Sequence, residues 1–265
     1  MAITESIFRE YDIRGEYPNQ INEDVVKKIG FAISHKCIDL GIDEICVGRD
    51  GRISGKSLLD ALIEGIIESG INVLNIDLAT SPLLYYAAKK NKNKSGVMIT
   101  GSHNPKNHNG IKLVINDNPV SGKEILALIN QGKPSSNSIG NVKEINIKDS
   151  YIKEVVDSSK INKNIKVVID CGNGAAGFIA PELYKKLGCE VIELFSEVDG
   201  NFPNHHPDPG KIDNLEDLIN EVQKQKADLG LAFDGDGDRV GLVTDKGEVV
   251  FPDKIMMMLS KDILS

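Results

Sequence analysis

The amino-acid sequence predicts an α/β protein with two consecutive domains, each a mixed sheet flanked by helices. Strand-like apolar runs alternate with amphipathic helical segments along most of the chain, and this alternation is typical of α/β layering. The 265 residues are many for a single hydrophobic core. The alternation is interrupted at residues 131–150, a polar stretch with Gly, Pro and Ser, which we interpret as a linker between the domains.

The first half of the chain is predicted to alternate helices with strands. Apolar residues spaced i, i+3 and i+4 predict helices over residues 22–40 and 55–70, the second ending at Gly70. A third helix is predicted to begin at Ser81 and Pro82. The remaining predicted elements are strands at residues 43–48, 71–77, 95–100 and 110–115 and a short helix at 121–130.

The second half is predicted to repeat the pattern. A strand over residues 165–170 leads into a helix over 174–188 and a strand over 189–195. After a loop rich in Pro, His and Asn, a helix is predicted at 213–226, and the strands that follow it are residues 228–234, 241–245 and 248–251.

A final helix is predicted over residues 252–265, with Ile255, Met256, Leu259 and Ile263 on one face. Such a face can dock on the preceding domain, or it can begin a third domain. The sequence pattern leaves both interpretations open.

Composition narrows the classes of function. The net charge of −8 argues against nucleic-acid binding as a primary role, although a few local cations can still hold an anionic substrate. The four cysteines lack metal-ligand spacing, so we expect free thiols. The sequence has no apolar run of about 20 residues and no apolar N-terminal leader, from which we expect no membrane association and a cytoplasmic location.

An acidic motif follows the predicted strand at 228–234. Asp234, Asp236 and Asp238 alternate with glycines, and three carboxylates that would repel one another are typical of a site for a hard cation. An EF-hand loop does not fit, because Arg239 stands where glycine is required and strands are predicted on both sides. A phosphatase that uses Asp234 as its nucleophile remains an alternative.

Two further motifs have competing interpretations. Gly172, Gly174 and Gly177 form a G-x-G-x-x-G after a strand, with Glu193 about 20 residues on, which is the pattern of a dinucleotide site. The alternative is a turn where small residues allow close packing of helix and strand. The two adjacent histidines in residues 202–209 lie between prolines, and we interpret this segment as a rigid loop because neighbouring side chains on extended chain point apart.

The segment "MITGSHNPKNHNG", residues 98–110, places a serine in a polar, glycine-rich turn directly after an apolar run. Ser102 is poorly placed for a hydrolase triad, because His103 cannot easily activate its own neighbour. A serine that carries phosphate needs exposure on a turn, a cation and a nearby ammonium group. The aspartate motif would hold the cation, and Lys112 on the next predicted strand would supply the ammonium group.

Five segments in this order resemble the α-D-phosphohexomutases, and in particular their phosphomannomutase/phosphoglucomutase branch. The segments are "FREYDIRG" (8–15), "TGSHNP" (100–105), "NGIKLVI" (109–115), "VDGNFPNHHPDP" (198–209) and "FDGDGDR" (233–239). The resemblance covers the whole chain. It implies the two α/β domains predicted above, at residues 1–148 and 149–252, with residues 253–265 as the start of a third domain.

The resemblance also implies an enzyme of carbohydrate metabolism that moves phosphate between C1 and C6 of a hexose through a phosphoserine and a hexose bisphosphate. The metal would be Mg²⁺. The implied catalytic residues are Ser102, Lys112, Arg239 and His103. The implied metal ligands are Ser102, Asp234, Asp236 and Asp238. Tyr11 and Arg14 would contact the hexose phosphate, and the active site would lie between the serine and the aspartates.

One departure from the family pattern affects the expected activity. Members of the family have four domains, and this sequence matches the first two and the start of the third. The missing C-terminal domains would be partners of this chain and would carry the sugar-selecting and phosphate-binding loops. Because binding energy from remote parts of a substrate supports turnover, we expect weak or absent mutase activity. A catalytically silent binding or regulatory remnant of the fold is the alternative.

Overall fold

The structure is a computed structural model and describes residues 3–136, 138–159, 161 and 164–264. It divides into two compact units, with the division between Tyr151 and Ile152. Each unit contains a mixed sheet with helices packed on it, so the predicted fold class is confirmed. All four cysteines are free, as predicted. Among the described residues, no helix has the length and apolar character needed to cross a membrane.

The first unit is built on a seven-stranded sheet with the order β1-β5-β4-β2-β3-β7, and β6 pairs with β5. The strands are β1 (Ile13–Glu16), β2 (Glu44–Arg49), β3 (Asn72–Leu78), β4 (Gly96–Ile99), β5 (His108–Ile115), β6 (Asn118–Pro119) and β7 (Val142–Glu144). The helices are α1 (Glu23–Asp39), α2 (Gly55–Glu68), α3 (Ser81–Lys90) and α4 (Gly122–Ile129), and α5 (Lys148–Ser158) crosses the division between the two units. Strands β4, β2, β3 and β7 run parallel, whereas β5 is antiparallel to both β1 and β4.

Local side-chain chemistry explains where the predicted helices begin. Asn22 accepts a hydrogen bond from the Val25 amide at the start of α1, at 3.1 Å. Thr80 caps α3 through the amide of Leu83 at 3.3 Å. Ser121 and the glutamate three residues later form a capping box on α4. These caps satisfy amides that have no partner within the helix, so the helix starts lie within about two residues of the predicted ones.

The helices α1 and α2 cross at two glycines. A Cβ on Gly65 would lie 2.3 Å from the backbone oxygen of Lys27, and one on Gly30 would lie 2.8 Å from the backbone oxygen of Leu62. No Cβ fits at such distances without backbone movement. The glycines therefore allow the helix backbones to approach closely and bury the apolar faces that cover the sheet.

We expect Gly65→Ala to lower the free energy of unfolding. Because the methyl group would meet a backbone oxygen at 2.3 Å, its cost should lie toward the upper end of about 1–3 kcal/mol. This exceeds the roughly 1 kcal/mol that alanine gains over glycine in a helix. Urea unfolding measures the difference. Gly55→Ala in the same helix is the control, because its Cβ would meet neighbours only at 3.4 Å or beyond. Equal effects of the two substitutions would contradict the packing explanation.

The stretch interpreted as a linker, residues 131–150, contains more structure than predicted. Val142–Glu144 forms β7, which pairs with β3 at the sheet edge, and Lys148 begins α5. All three residues of β7 are exposed. Such a strand lacks the apolar alternation from which strands are predicted, and its pairing depends on backbone hydrogen bonds to β3. The sequence analysis also missed β1, which is only four residues long.

The second unit is built on a five-stranded sheet with the order β12-β11-β10-β8-β9. The strands are β8 (Lys166–Asp170), β9 (Glu190–Leu194), β10 (Leu229–Phe233), β11 (Val240–Thr244) and β12 (Val249–Val250), and the helices are α6 (Ala180–Lys186), α7 (Glu216–Gln225) and α8 (Pro252–Leu264). Strands β9, β8 and β10 are parallel, and β11 is antiparallel to β10 and β12.

The helix predicted over residues 174–188 is divided in the structure. A short 3-10 helix covers Ala175–Phe178, and α6 begins only at Ala180. Gly177 lies against the segment after β9, where a Cβ would be 2.0 Å from the oxygen of Ser196. The glycines of this G-x-G-x-x-G thus serve close packing, and no α-helix begins directly at them. The packing interpretation explains this segment better than a dinucleotide site does.

The last helix, α8, buries none of its described residues. Ile255, Met256 and Leu259 line a pocket together with Val240 and Phe251 of the same unit. Three of the four residues of the predicted apolar face therefore line this pocket, and Ile263 is exposed.

Candidate functional site

The serine loop, residues 100–107, connects β4 to β5. Ser102 has a left-handed backbone with φ of 49°, and it is only 1% exposed. The expectation of an exposed serine is therefore wrong. The left-handed turn folds the residue back into its own loop, where the Ser102 amide donates a 2.8 Å hydrogen bond to Thr100 Oγ1. The Ser102 hydroxyl also lies 3.2 Å from His103 Nδ1, so the two neighbouring side chains are within hydrogen-bond distance.

An arginine that the sequence analysis missed lies beneath this loop. The Arg52 side chain is fully buried. Its guanidinium donates to the backbone oxygens of Ser102 (2.8 Å), Asn104 (2.7 Å), Pro105 (2.6 Å) and His108 (2.8 Å). One cation thus binds four carbonyl groups of the loop and of the start of β5.

Asp50 completes the support of the loop. Its Oδ2 accepts hydrogen bonds from Thr100 Oγ1 at 2.7 Å and from the Gly101 amide at 3.2 Å, and it lies 3.3 Å from Arg52 Nε. Asp50 follows β2 directly, beside the end of the parallel strand β4. In the sequence, Asp50 and Arg52 are only two opposite charges after a predicted strand. Their contacts with the loop depend on β2 and β4 being neighbours in the sheet.

The other residues predicted for the site in the first unit differ in how far they are buried. Arg14 donates to Asn104 Oδ1 at 2.9 Å and pairs with Asp12, so it contacts the serine loop. Lys112 is half-buried on β5, opposite Met98 of β4. Tyr11 is 89% exposed. The structure therefore brings Ser102, His103 and Arg14 to one loop, with Tyr11 open to solvent.

The aspartate loop lies in the second unit, between β10 and β11. Asp234, Asp236 and Asp238 each offer a carboxylate oxygen, and these oxygens lie within 4.8 Å of one another. Asp234 Oδ1 accepts from the amides of Asp238 at 3.1 Å and Arg239 at 3.0 Å. The backbone turns at Gly237, where φ is 70°. These bonds close the turn on itself and gather the carboxylates.

The donor set of this loop fits a hard divalent cation. All three side chains are carboxylates, two of them buried and the third exposed. Crowded negative charges in a place with restricted solvent are costly without a counter-ion. Carboxylate oxygens are the ligands preferred by Mg²⁺ and Ca²⁺. Arg239 follows the third aspartate and is exposed, so it can reach an anion beside the loop.

A second loop of the same unit supports the aspartate loop. The amide of Ala175 donates to the oxygen of Gly235 at 2.9 Å, and a Cβ on Gly174 would also lie 2.9 Å from that oxygen. The glycine-rich loop is held in turn by Asn204, whose Nδ2 donates to Asn173 Oδ1 at 2.8 Å. The G-x-G-x-x-G segment therefore packs against the backbone of the aspartate loop at Gly235.

His205 forms an ion pair with the end of β8. Its Nε2 lies 2.9 Å from Oδ2 of Asp170, whose side chain is fully buried. Burial opposes the charged ring, but the hydrogen bond and negative charge of Asp170 outweigh it, so the pKa of His205 is raised from its ordinary value. This contact ties the loop at residues 202–209 to the end of β8. The sequence pattern predicted a rigid loop at a domain boundary, and the structure places this loop within the second unit, away from the division after Tyr151.

We expect the stabilisation from His205 to depend on pH. Because its pKa is raised, the contribution is fully present below the ordinary value of about 6.5 and is lost as pH rises through the raised value. The free energy of unfolding of His205→Gln should thus fall further below that of the parent at about pH 6 than at about pH 8.5. In an Asp170→Asn background, the carboxylate no longer offsets the burial of the ring, so the larger loss at about pH 6 should disappear. A difference that stays constant across this range would contradict the assignment.

Two family models match this chain in succession. The model described as phosphoglucomutase/phosphomannomutase, alpha/beta/alpha domain I, matches residues 5–135, and the one for domain II matches residues 149–247. A phosphomannomutase/phosphoglucomutase of Pseudomonas putida is 50% identical over 266 residues, covering 100% of this chain and 58% of the relative. A phosphoglucomutase of Neisseria gonorrhoeae is 45% identical over 268 residues, covering 100% of this chain and 58% of the relative.

The likeness extends to three dimensions. The crystal structure of a phosphoglucomutase/phosphomannomutase family protein from Burkholderia thailandensis matches with a TM-score of 0.95 at 36% identity. The match covers 99% of this chain and 60% of that one. This chain spans 58% of the length of each of the two curated relatives, from Pseudomonas putida and Neisseria gonorrhoeae.

Proposed function

Because this chain belongs to the phosphoglucomutase/phosphomannomutase family, we propose that it carries the phosphoryl-transfer residues of a Mg²⁺-dependent phosphohexomutase. The observation that carries the proposal is the grouping of three carboxylate oxygens within 4.8 Å on the aspartate loop. A cation site is what transfer of an anionic phosphoryl group requires. Ser102, on its preformed loop, would be the carrier of that group.

The substrates proposed are a hexose phosphate and a hexose bisphosphate. In one direction, the Ser102 hydroxyl oxygen attacks a phosphorus of the bisphosphate, and the bond from that phosphorus to the sugar oxygen breaks. His103 Nδ1, 3.2 Å from the serine oxygen, accepts the hydroxyl proton. In the other direction, a sugar hydroxyl attacks phospho-Ser102 and the bond from Oγ to phosphorus breaks. Lys112 would donate a proton to the departing sugar oxygen in the first direction and accept the proton of the attacking sugar hydroxyl in the second, where His103 would return its proton to Ser102 Oγ.

The remaining residues would hold charge in place. Asp234, Asp236 and Asp238, together with an oxygen on Ser102, would bind the Mg²⁺, which supplies neutralisation of the transferred phosphoryl oxygens. Arg239 and Arg14 would bind phosphate oxygens, and Tyr11 would contact the sugar phosphate.

We also propose the boundaries 1–148 and 149–252 for the two domains, with residues 253–265 belonging to a third. The relatives are longer than this chain, and on its own we expect weak or absent mutase turnover. The physical reason is that binding energy from distant parts of a substrate supports the chemical step. C-terminal domains like those of the relatives would be the partners that restore mutase turnover.

Intact mass spectrometry tests the proposal without requiring full turnover. The purified chain is incubated with glucose 1,6-bisphosphate and Mg²⁺, and in parallel with excess EDTA. We expect the chain to gain one phosphate in the presence of Mg²⁺ and to gain none with EDTA. No gain under either condition, with no phosphate on the chain at the outset, would contradict phosphoryl transfer by these residues and favour a binding role.

A further inference from the structure

We propose that Arg52 and Asp50 position the serine loop for phosphoryl transfer, acting through the backbone of the loop. The proposal rests on the proposed function of Ser102 as the phosphate carrier. Neither residue belongs to the site predicted from sequence. Both are 1% exposed, so they act from beneath the loop.

All three side-chain nitrogens of Arg52 donate hydrogen bonds. A guanidinium has five N–H donors in a rigid planar fork. In Arg52, Nη1 and Nη2 each serve two backbone oxygens of residues 102–108, and Nε faces Asp50 Oδ2. A buried cation requires such compensation. The planar fork fixes several carbonyl groups at once, which a lysine ammonium cannot reproduce.

The loop lies directly on the guanidinium. A Cβ on Gly101 would lie 2.4 Å from Arg52 Cζ, so only glycine allows this approach. The next residue, Ser102, has the left-handed backbone with φ of 49°. This conformation is strained for a residue other than glycine. The bonds from Arg52 to the Ser102 oxygen and from the Ser102 amide to Thr100 hold that conformation.

This arrangement has an electrostatic consequence for an anion on Ser102. Backbone oxygens carry partial negative charge and would repel a phosphoryl group. Arg52 binds four of them, at 2.6 to 2.8 Å, and Asp50 holds Thr100 and the Gly101 amide. The loop is therefore organised before any phosphate arrives. Such preorganisation avoids rearrangement during transfer.

Arg52→Lys is the variant that tests the proposal, with Arg49→Lys as the matched control. Arg49 is the last residue of β2, three positions before Arg52, and it pairs at 2.8 Å with Asp77, which is 45% exposed. Two measurements are made on the whole chain. One is amide hydrogen exchange of residues 101–108 compared with β3. The other is the rate of phosphate uptake from glucose 1,6-bisphosphate, as a maximal rate and a half-saturating concentration.

For Arg52→Lys we expect exchange of residues 101–108 to accelerate at least ten-fold while β3 changes less than two-fold. The maximal rate of phosphate uptake should fall at least ten-fold, with the half-saturating concentration changed less than three-fold. Arg49→Lys should stay within two-fold of the parent in both measurements. If Arg52→Lys does not fold, Thr100→Val, which removes the hydroxyl between Asp50 and the Ser102 amide, replaces it.

Two results would overturn the proposal. One is unchanged exchange of residues 101–108 in the variant. The other is acceleration of equal size in β3, which would indicate a general loss of stability. If the parent chain takes up no phosphate, the proposed function fails, and the exchange measurement still decides whether Arg52 positions the loop.

Discussion

Replacing Ser102 with alanine is expected to abolish the uptake of phosphate from glucose 1,6-bisphosphate. The alanine side chain has no oxygen to form the bond to phosphorus, so uptake should fall from one phosphate per chain to none. The fold should persist, because the loop is held through its backbone by Arg52 and through the Ser102 amide by Thr100. Intact mass after incubation with Mg²⁺ and the bisphosphate measures the effect.

Ser121→Ala is the control for this experiment. Ser121 caps α4, where its Oγ accepts from the amide of Glu124 at 3.2 Å. Its removal should cost about 1 kcal/mol of stability and leave phosphate uptake unchanged. The alternative of a phosphatase with Asp234 as nucleophile makes the opposite prediction. Phosphate release that survives Ser102→Ala would favour that alternative over the phosphoserine.

Replacing Asp236 with asparagine is expected to remove the stabilisation of the chain by Mg²⁺. The substitution removes one of three carboxylates whose oxygens lie within 4.8 Å, and ligand charge is the main determinant of affinity for such cations. A cation at 100 times its Kd stabilises the parent by about 2.7 kcal/mol. A loss of about 100-fold in affinity would reduce this stabilisation to a few tenths of a kcal/mol. Thermal unfolding with Mg²⁺ and with EDTA measures both values.

The Asp236→Asn variant also has an expected stability in the absence of metal. Removing one of three crowded charges relieves repulsion, so in EDTA we expect Asp236→Asn to be at least as stable as the parent. Asp245→Asn is the control, because Asp245 is exposed in the turn after β11. That variant should keep the full response to Mg²⁺. An equal response to Mg²⁺ in Asp236→Asn and the parent would place the cation elsewhere.

Some features of this protein could not be predicted from one sequence because their signals are not local. The strand β7 is exposed and polar, and only its pairing with β3 makes it a strand. Arg52 and Asp50 look like ordinary surface charges in "GRDGR". Their role depends on β2 and β4 being neighbours in the sheet, which places the end of one strand beneath the loop that follows the other.

The sequence by itself predicted the fold class and the family, and it supplied the residues that we propose for the chemistry. Apolar periodicity and turn residues are local properties, and the alternating aspartates and the serine turn are motifs of a few residues. Tertiary structure alone decided how those motifs are held. The Asp170–His205 pair joins residues 35 positions apart, and Arg52 binds a loop 50 to 56 positions away. Contacts at such separations depend on chain packing, so no local pattern in the sequence encodes them.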